Sequence, residues 1–156
     1  LDELGIKYDI CPGVSSFCGA AAALRAEYTL PDVSQTVIIT RMAGRTPVPE
    51  KESIAALAAH NATMVIFLST GLLKELSAEL IRGGYKPDTP AAIVYKASWA
   101  DQKVCRCTVE DLAQTASDNG ITKTALICVG YFLGNDYSLS KLYDKSFETE
   151  FRKAEI

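Results

Sequence analysis

Five short apolar runs, separated by stretches with apolar residues at helical spacing, constrain this chain more than any other feature. Ser34–Thr40 is rich in β-branched residues, and Thr63–Leu68 and Ala125–Val129 read as buried strands. Ala91–Lys96 and Lys103–Cys107 follow one another across a short turn. Between the runs, Ile54, Leu57 and Ala58 share one helical face. Leu72, Leu76 and Leu80 share a second, stopped by Gly83-Gly84, and Val109, Leu112, Ala113 and Ala116 share a third. Thr108-Val109-Glu110-Asp111 has the form of a capping box opening that third helix. Phe147 and Phe151, four apart, predict a docked tail helix. The order βαβαββαβ requires helices packed on a mixed sheet, so the fold class is α/β with a mixed five-stranded sheet flanked by helices.

The front of the chain reads separately. Leu1–Gly5 has the form of a last helical turn closed by glycine, and Ile6–Ile10 alternates like a strand. Pro12-Gly13 makes a turn, after which Ser15 or Ser16 caps a helix running through Ala20–Ala23 to about Arg25. Leu30-Pro31-Asp32 then breaks the pattern. The expectation is that residues 1–32 are the last strand and helix of an amino-terminal α/β domain, with 33–156 as a carboxy-terminal domain.

Charge and composition exclude several classes. Sixteen basic against nineteen acidic residues give a net charge of −3, which argues against a general nucleic-acid binder. No apolar run is long enough for a membrane helix. Five cysteines without a C-x-x-C pair point to a reduced, cytoplasmic setting. Cys105 and Cys107 alternate along one strand and face one side, as plain packing or as two metal ligands. The single histidine, His60, ends a helical segment and is expected at the surface. Multi-histidine metal chemistry is therefore absent, and no motif supports a Ser-His-Asp triad.

Ligands of α/β sheets gather at strand ends. Three such junctions carry small or polar residues: Pro12–Ser16, Leu68-Ser69-Thr70-Gly71 and Lys96-Ala97-Ser98. Each either caps the following element or lets a nucleotide-like ligand approach the backbone closely. Neither a G-x-G-x-x-G nor a Walker loop is present. The loop Thr40–Pro49 carries Arg41 and Arg45 around Gly44, ahead of two prolines. Those arginines form a solvated basic loop or clamp carboxylates.

Pro12-Gly13-Val14-Ser15-Ser16, Pro31–Arg41, Gly44–Glu50, Asp88–Trp99 and Thr122–Gly130 together resemble the tetrapyrrole (corrin/porphyrin) methylases, with support from Tyr137-Ser138 and Lys141-Leu142-Tyr143. The Gly44–Glu50 stretch narrows the resemblance to the branch that methylates precorrins in cobalamin biosynthesis.

The resemblance implies a two-domain, homodimeric enzyme that uses S-adenosyl-L-methionine, held in an interdomain cleft beneath a tetrapyrrole trough. Carried over by position, it makes Ser15, Ser16, Leu68, Ala97, Thr124 and Ala125 cofactor contacts. It favours Arg41 and Arg45 as substrate-binding residues, because the substrate is a polycarboxylate. It requires no metal, and no catalytic base stands out. Two glycine-rich loops of the family's amino-terminal half, G-x-G-P-G-D and G-D-P-x-x-Y-G, have no counterpart here. The chain is thus expected to be a carboxy-terminal fragment with part of the cofactor site missing. The alternatives are another tetrapyrrole methylase, acting on uroporphyrinogen or a different precorrin, or in isolation a dimerising interaction module.

Overall fold

The computed structural model describes residues 1–140, 144–148, 150 and 153. Five strands form one sheet: β1 (Val37–Arg41), β2 (Thr63–Phe67), β3 (Pro90–Tyr95), β4 (Lys103–Thr108) and β5 (Ala125–Val129). Their order is β1-β2-β5-β3-β4. β1 and β2 are parallel, and β5 runs antiparallel to both β2 and β3. β1, β2 and β3 therefore point the same way. Their carboxy ends lie along one sheet edge, beside the amino ends of β4 and β5.

The strands alternate between two apolar faces, as the two-residue pleat requires. Met64, Ile66, Ala91, Ile93, Ile127 and Val129 face α2 (Ile54–Ala58), α3 (Leu73–Gly83) and α4 (Leu112–Asp118). Leu76, Leu80 and Leu112, placed at helical spacing in the sequence, are fully buried there. Val65, Ala92, Val94, Leu126 and Cys128 face the other way, against α1 (Ser16–Leu24), Tyr28, Leu30 and Phe132. The tyrosine at the centre of this second layer is pinned at both ends. Its hydroxyl donates to the Phe17 carbonyl at 2.7 Å, and its ring meets Phe132 edge-on at 5.2 Å.

Strand ends depart from the sequence expectation where side chains take over backbone hydrogen bonds. β1 begins at Val37 and not at Ser34, because the Ser34 hydroxyl closes a turn onto Thr36 and accepts from the Thr63 amide at 3.2 Å. The capping box at Thr108–Asp111 does not form. Thr108 ends β4, its hydroxyl donates to the Asp111 carboxylate at 2.7 Å, and α4 starts at Leu112. Ile6–Ile10, expected as a strand, has no partner strand among the described residues, so nothing completes its ladder. The expected tail helix falls partly on Phe151, which lies outside the described residues; Asp144–Glu148 is non-helical, with Phe147 exposed.

His60 is exposed just beyond α2, as its position predicts. No helix among the described residues is long and apolar enough to cross a membrane. Cys105 and Cys107 pack against the helical layer, and among the described residues no cluster of histidine, cysteine and carboxylate side chains could hold a metal ion. Burial pushes the Cys107 and Cys128 thiols up to about 11. Both therefore stay protonated in mildly alkaline buffer, where only a thiolate reacts. Cys11 and Cys18 are exposed. Native alkylation followed by peptide mass mapping is expected to label Cys11 and Cys18 and to spare Cys128 until the fold is opened.

Candidate functional site

A cavity of about 230 Å³ opens at the common strand edge, on the α1 side of the sheet. Its floor is Val94 and Leu126, which are buried residues of β3 and β5, with Phe67 at the end of β2. Its rim carries Ser16, Leu68, Thr70, Lys96, Ala97, Trp99, Thr124 and Ala125. The sequence-derived cofactor residues Ser16, Leu68, Ala97, Thr124 and Ala125 thus come together in one place, although up to 109 positions separate them (Ser16 to Ala125). Ser15 is the exposed N-cap residue of α1, makes no side-chain cap hydrogen bond, and adjoins the cavity without lining it.

The topology explains the convergence. Leu68 and Lys96 directly follow two parallel strands, and Thr124 directly precedes the antiparallel strand between them. The Lys96 amide donates to the Thr124 carbonyl at 3.0 Å, extending the β3–β5 ladder by one rung. The Thr70 hydroxyl donates to the Ala125 carbonyl at 3.3 Å and ties the β2 loop to the first residue of β5, next to that rung. α1 starts at the cavity with Ser16 and passes close to its rim. A β-carbon added at Gly19 would lie 3.5 Å from the Ala97 β-carbon.

Backbone strain concentrates here. Of seven non-glycine residues with positive φ among the described residues, four belong to this edge: Leu68 at 52°, Lys96 at 46°, Ser98 at 71° and Thr124 at 58°. A left-handed conformation costs a non-glycine residue about 1–2 kcal/mol, and such strain clusters at ligand sites. Leu68 adds a second penalty, since its apolar side chain is 85% exposed at the mouth of the cavity. The electrostatics of the rim are nearly closed on themselves. Lys96 pairs with Asp101 at 2.5 Å, which holds the Asp101 carboxyl below the usual carboxylate range and the ammonium above its ordinary value.

The two arginines of the 41–49 loop do different things. Arg41 turns onto its own loop, donating to the carbonyls of Met42 at 3.3 Å, Thr46 at 3.2 Å and Pro47 at 2.8 Å. Arg45 is exposed at the loop tip and has no hydrogen-bond or ion-pair partner among the described residues. The loop is fastened to the β2 end by Ser69, whose buried hydroxyl donates to the Phe67 carbonyl and accepts from the Met42 amide at 3.0 Å. Ser69, Thr70 and Lys96 fall within junctions that the sequence flags without being singled out as cofactor contacts, whereas Phe67 and Trp99 were passed over as lining residues. Trp99 directly follows the flagged Lys96-Ala97-Ser98 junction, and that adjacency was the available signal.

Comparison with known proteins gives the following. The family model for the Tetrapyrrole (Corrin/Porphyrin) Methylases matches residues 1–113. The chain is 54% identical over 155 residues to the cobalt-precorrin-4 C(11)-methyltransferase of Methanocaldococcus jannaschii; the match covers 99% of this chain and 60% of that protein. It superposes with a TM-score of 0.83 on the X-ray structure of a cobalamin biosynthetic enzyme, cobalt-precorrin-4 methyltransferase, at 48% identity, covering 86% of this chain and 56% of that one. It shares the fold of the uroporphyrin-III C-methyltransferase of Thermus thermophilus, solved with S-adenosyl homocysteine, at TM-score 0.65 and 19% identity, covering 85% of this chain and 54% of that one. The chain thus spans about 60% of the length of the methanogen relative.

Proposed function

This chain belongs to the tetrapyrrole (corrin/porphyrin) methylases, and from that premise we propose that its strand-edge cavity binds the nucleoside part of S-adenosyl-L-methionine. The reaction served is methyl transfer to C-11 of cobalt-precorrin-4 or its metal-free counterpart. The observation that carries this reading is the convergence of Ser16, Leu68, Ala97, Thr124 and Ala125 on one cavity under local backbone strain.

The residues fit the group. Ser16, Ala97 and Ala125 are small and allow the backbone to meet a base edge, while Phe67, Leu68, Val94 and Leu126 offer apolar surface to its faces. At about 230 Å³ the cavity falls below the roughly 300–1,000 Å³ of a site that encloses a drug-sized ligand, so it takes a nucleoside and leaves the macrocycle outside. When bound, the sulfonium cofactor supplies an already electrophilic methyl carbon. The task of these residues is to orient and to exclude water.

The macrocycle carries carboxylates, and the exposed guanidinium of Arg45 is the group free to meet one. Arg41, turned onto the loop, sets where Arg45 stands. Arg45→Ala is expected to raise KM for the tetrapyrrole about tenfold with an unchanged melting temperature, the size of one lost charge-assisted contact. Arg41→Ala should raise KM as well and also lower stability by about 1–2 kcal/mol, because three backbone carbonyls lose their donor. Steady-state kinetics and thermal melts on both variants check the contrast. Equilibrium dialysis with labelled S-adenosylmethionine tests the cofactor reading: retention by the chain supports it, and none at millimolar ligand contradicts it.

A further inference from the structure

The turn between β3 and β4 is fastened more firmly than a surface connection requires. The Trp99 amide donates to the Lys96 carbonyl at 3.0 Å, and the Gln102 amide donates to the Trp99 carbonyl at 3.1 Å. The Ser98 amide donates to the Gln102 side-chain oxygen at 2.7 Å, and Lys96 pairs with Asp101 across the turn. Lys96 and Ser98, on either side of Ala97, both hold positive φ. All of this fixes the backbone around one residue, Trp99, whose ring lines the cavity and is nevertheless 61% exposed. The Lys96 ammonium sits 5.3 Å from the centre of that ring and 5.1 Å from the Tyr95 ring.

We propose that Trp99 is a stacking wall for the planar base of the nucleoside seated in this cavity, a ligand-binding residue beyond those that the family resemblance assigns. The inference rests on the cofactor reading above. The chemistry of the rim favours a neutral flat base over an anionic group. The cation nearest the ring, Lys96, is already compensated by Asp101, so what the turn presents is the indole surface. Leu68, exposed on the same rim, supplies a second apolar surface.

Trp99 is the only tryptophan in the chain, so its emission reports on this position alone. The experiment titrates the whole chain with S-adenosylhomocysteine and separately with adenosine, following indole emission and, in parallel, retention of labelled S-adenosylhomocysteine by dialysis. Emission is expected to change saturably with both ligands. Trp99→Ala should weaken binding about tenfold, the scale of a lost base–aromatic stack, and Trp99→Phe should restore most of it. Retention with unchanged emission, or a Trp99→Ala variant that binds like the parent, overturns the inference and leaves the cofactor reading standing. A response to S-adenosylhomocysteine without one to saturating adenosine also overturns it, because the ring would then be reading another part of the molecule. Absence of retention by the unmodified chain overturns the cofactor reading, and this inference with it.

Discussion

Leu68→Gly is expected to weaken S-adenosylhomocysteine binding by tenfold to a hundredfold while leaving the melting temperature nearly unchanged. Both halves follow from one position. The side chain is 85% exposed in the free protein, so its removal forfeits little folded-state burial. Glycine relieves about 1–2 kcal/mol of left-handed strain at φ 52° and gives back about 0.5–1 kcal/mol through the greater freedom of the unfolded chain, a net gain of about 1 kcal/mol or less that the small lost burial offsets. On the proposed reading, bound cofactor covers the leucine, and losing that contact is expected to cost about 1.5–3 kcal/mol, which sets the affinity loss. Leu68→Ala is the companion variant. It keeps the strain, removes most of the contact, and should lose affinity to a similar degree. A large drop in melting temperature for Leu68→Gly, or affinity equal to the parent's, would show that this residue is ordinary loop structure.

The second large effect lies in the fold that carries the site. Gly83→Ala is expected to destabilise the protein by about 3 kcal/mol, roughly 10 °C in melting temperature, against the general rule that alanine improves a helix by about 1 kcal/mol over glycine. Gly83 ends α3 where that helix crosses α2. An added β-carbon would lie 2.4 Å from the Ala55 carbonyl oxygen, 2.5 Å from the Ala58 β-carbon and 2.8 Å from the Ala55 α-carbon. The obstacles are mainly backbone, so no side chain can swing away and the two helices must separate. Gly71→Ala is the internal control, since nothing lies within 4 Å of a β-carbon built there. Chemical denaturation of the two variants measures the contrast. Equal stabilities would mean that α2 and α3 pack less closely than described.

Much of this architecture was legible in the residues because the central strands of the sheet are buried on both faces. Thr63–Phe67 and Ala125–Val129 are continuous apolar runs for that reason, and β5 falls on the bounds that the pattern predicts. Legibility failed where a local pattern had no tertiary partner. Ile6–Ile10 alternates correctly yet finds no strand beside it among the described residues, and pairing makes a strand where alternation only permits one. It failed again where a hydroxyl redirected the backbone, as Ser34 does at the start of β1 and Thr108 at the end of β4.

The site was legible at its strand-end positions, because direction of travel through a sheet decides which loops meet. The division of labour between Arg41 and Arg45 was not, since two arginines in one loop look alike until their carbonyl partners are known. The part proposed for Trp99 was hidden for a related reason. A tryptophan in a turn is ordinary until the turn proves to be tied down around it.

On the proposed reading the strand-edge cavity receives the nucleoside part of the cofactor. Amide-resolved magnetic resonance of the isotope-labelled chain during addition of S-adenosylhomocysteine tests it most directly, because shifts are mapped residue by residue even when binding is weak. The perturbed amides are expected to centre on Ser16, Leu68, Ala97, Thr124 and Ala125. Perturbations confined to another surface, such as the groove of Met42, Val48, Ile54 and Glu79, or none at all, would contradict it.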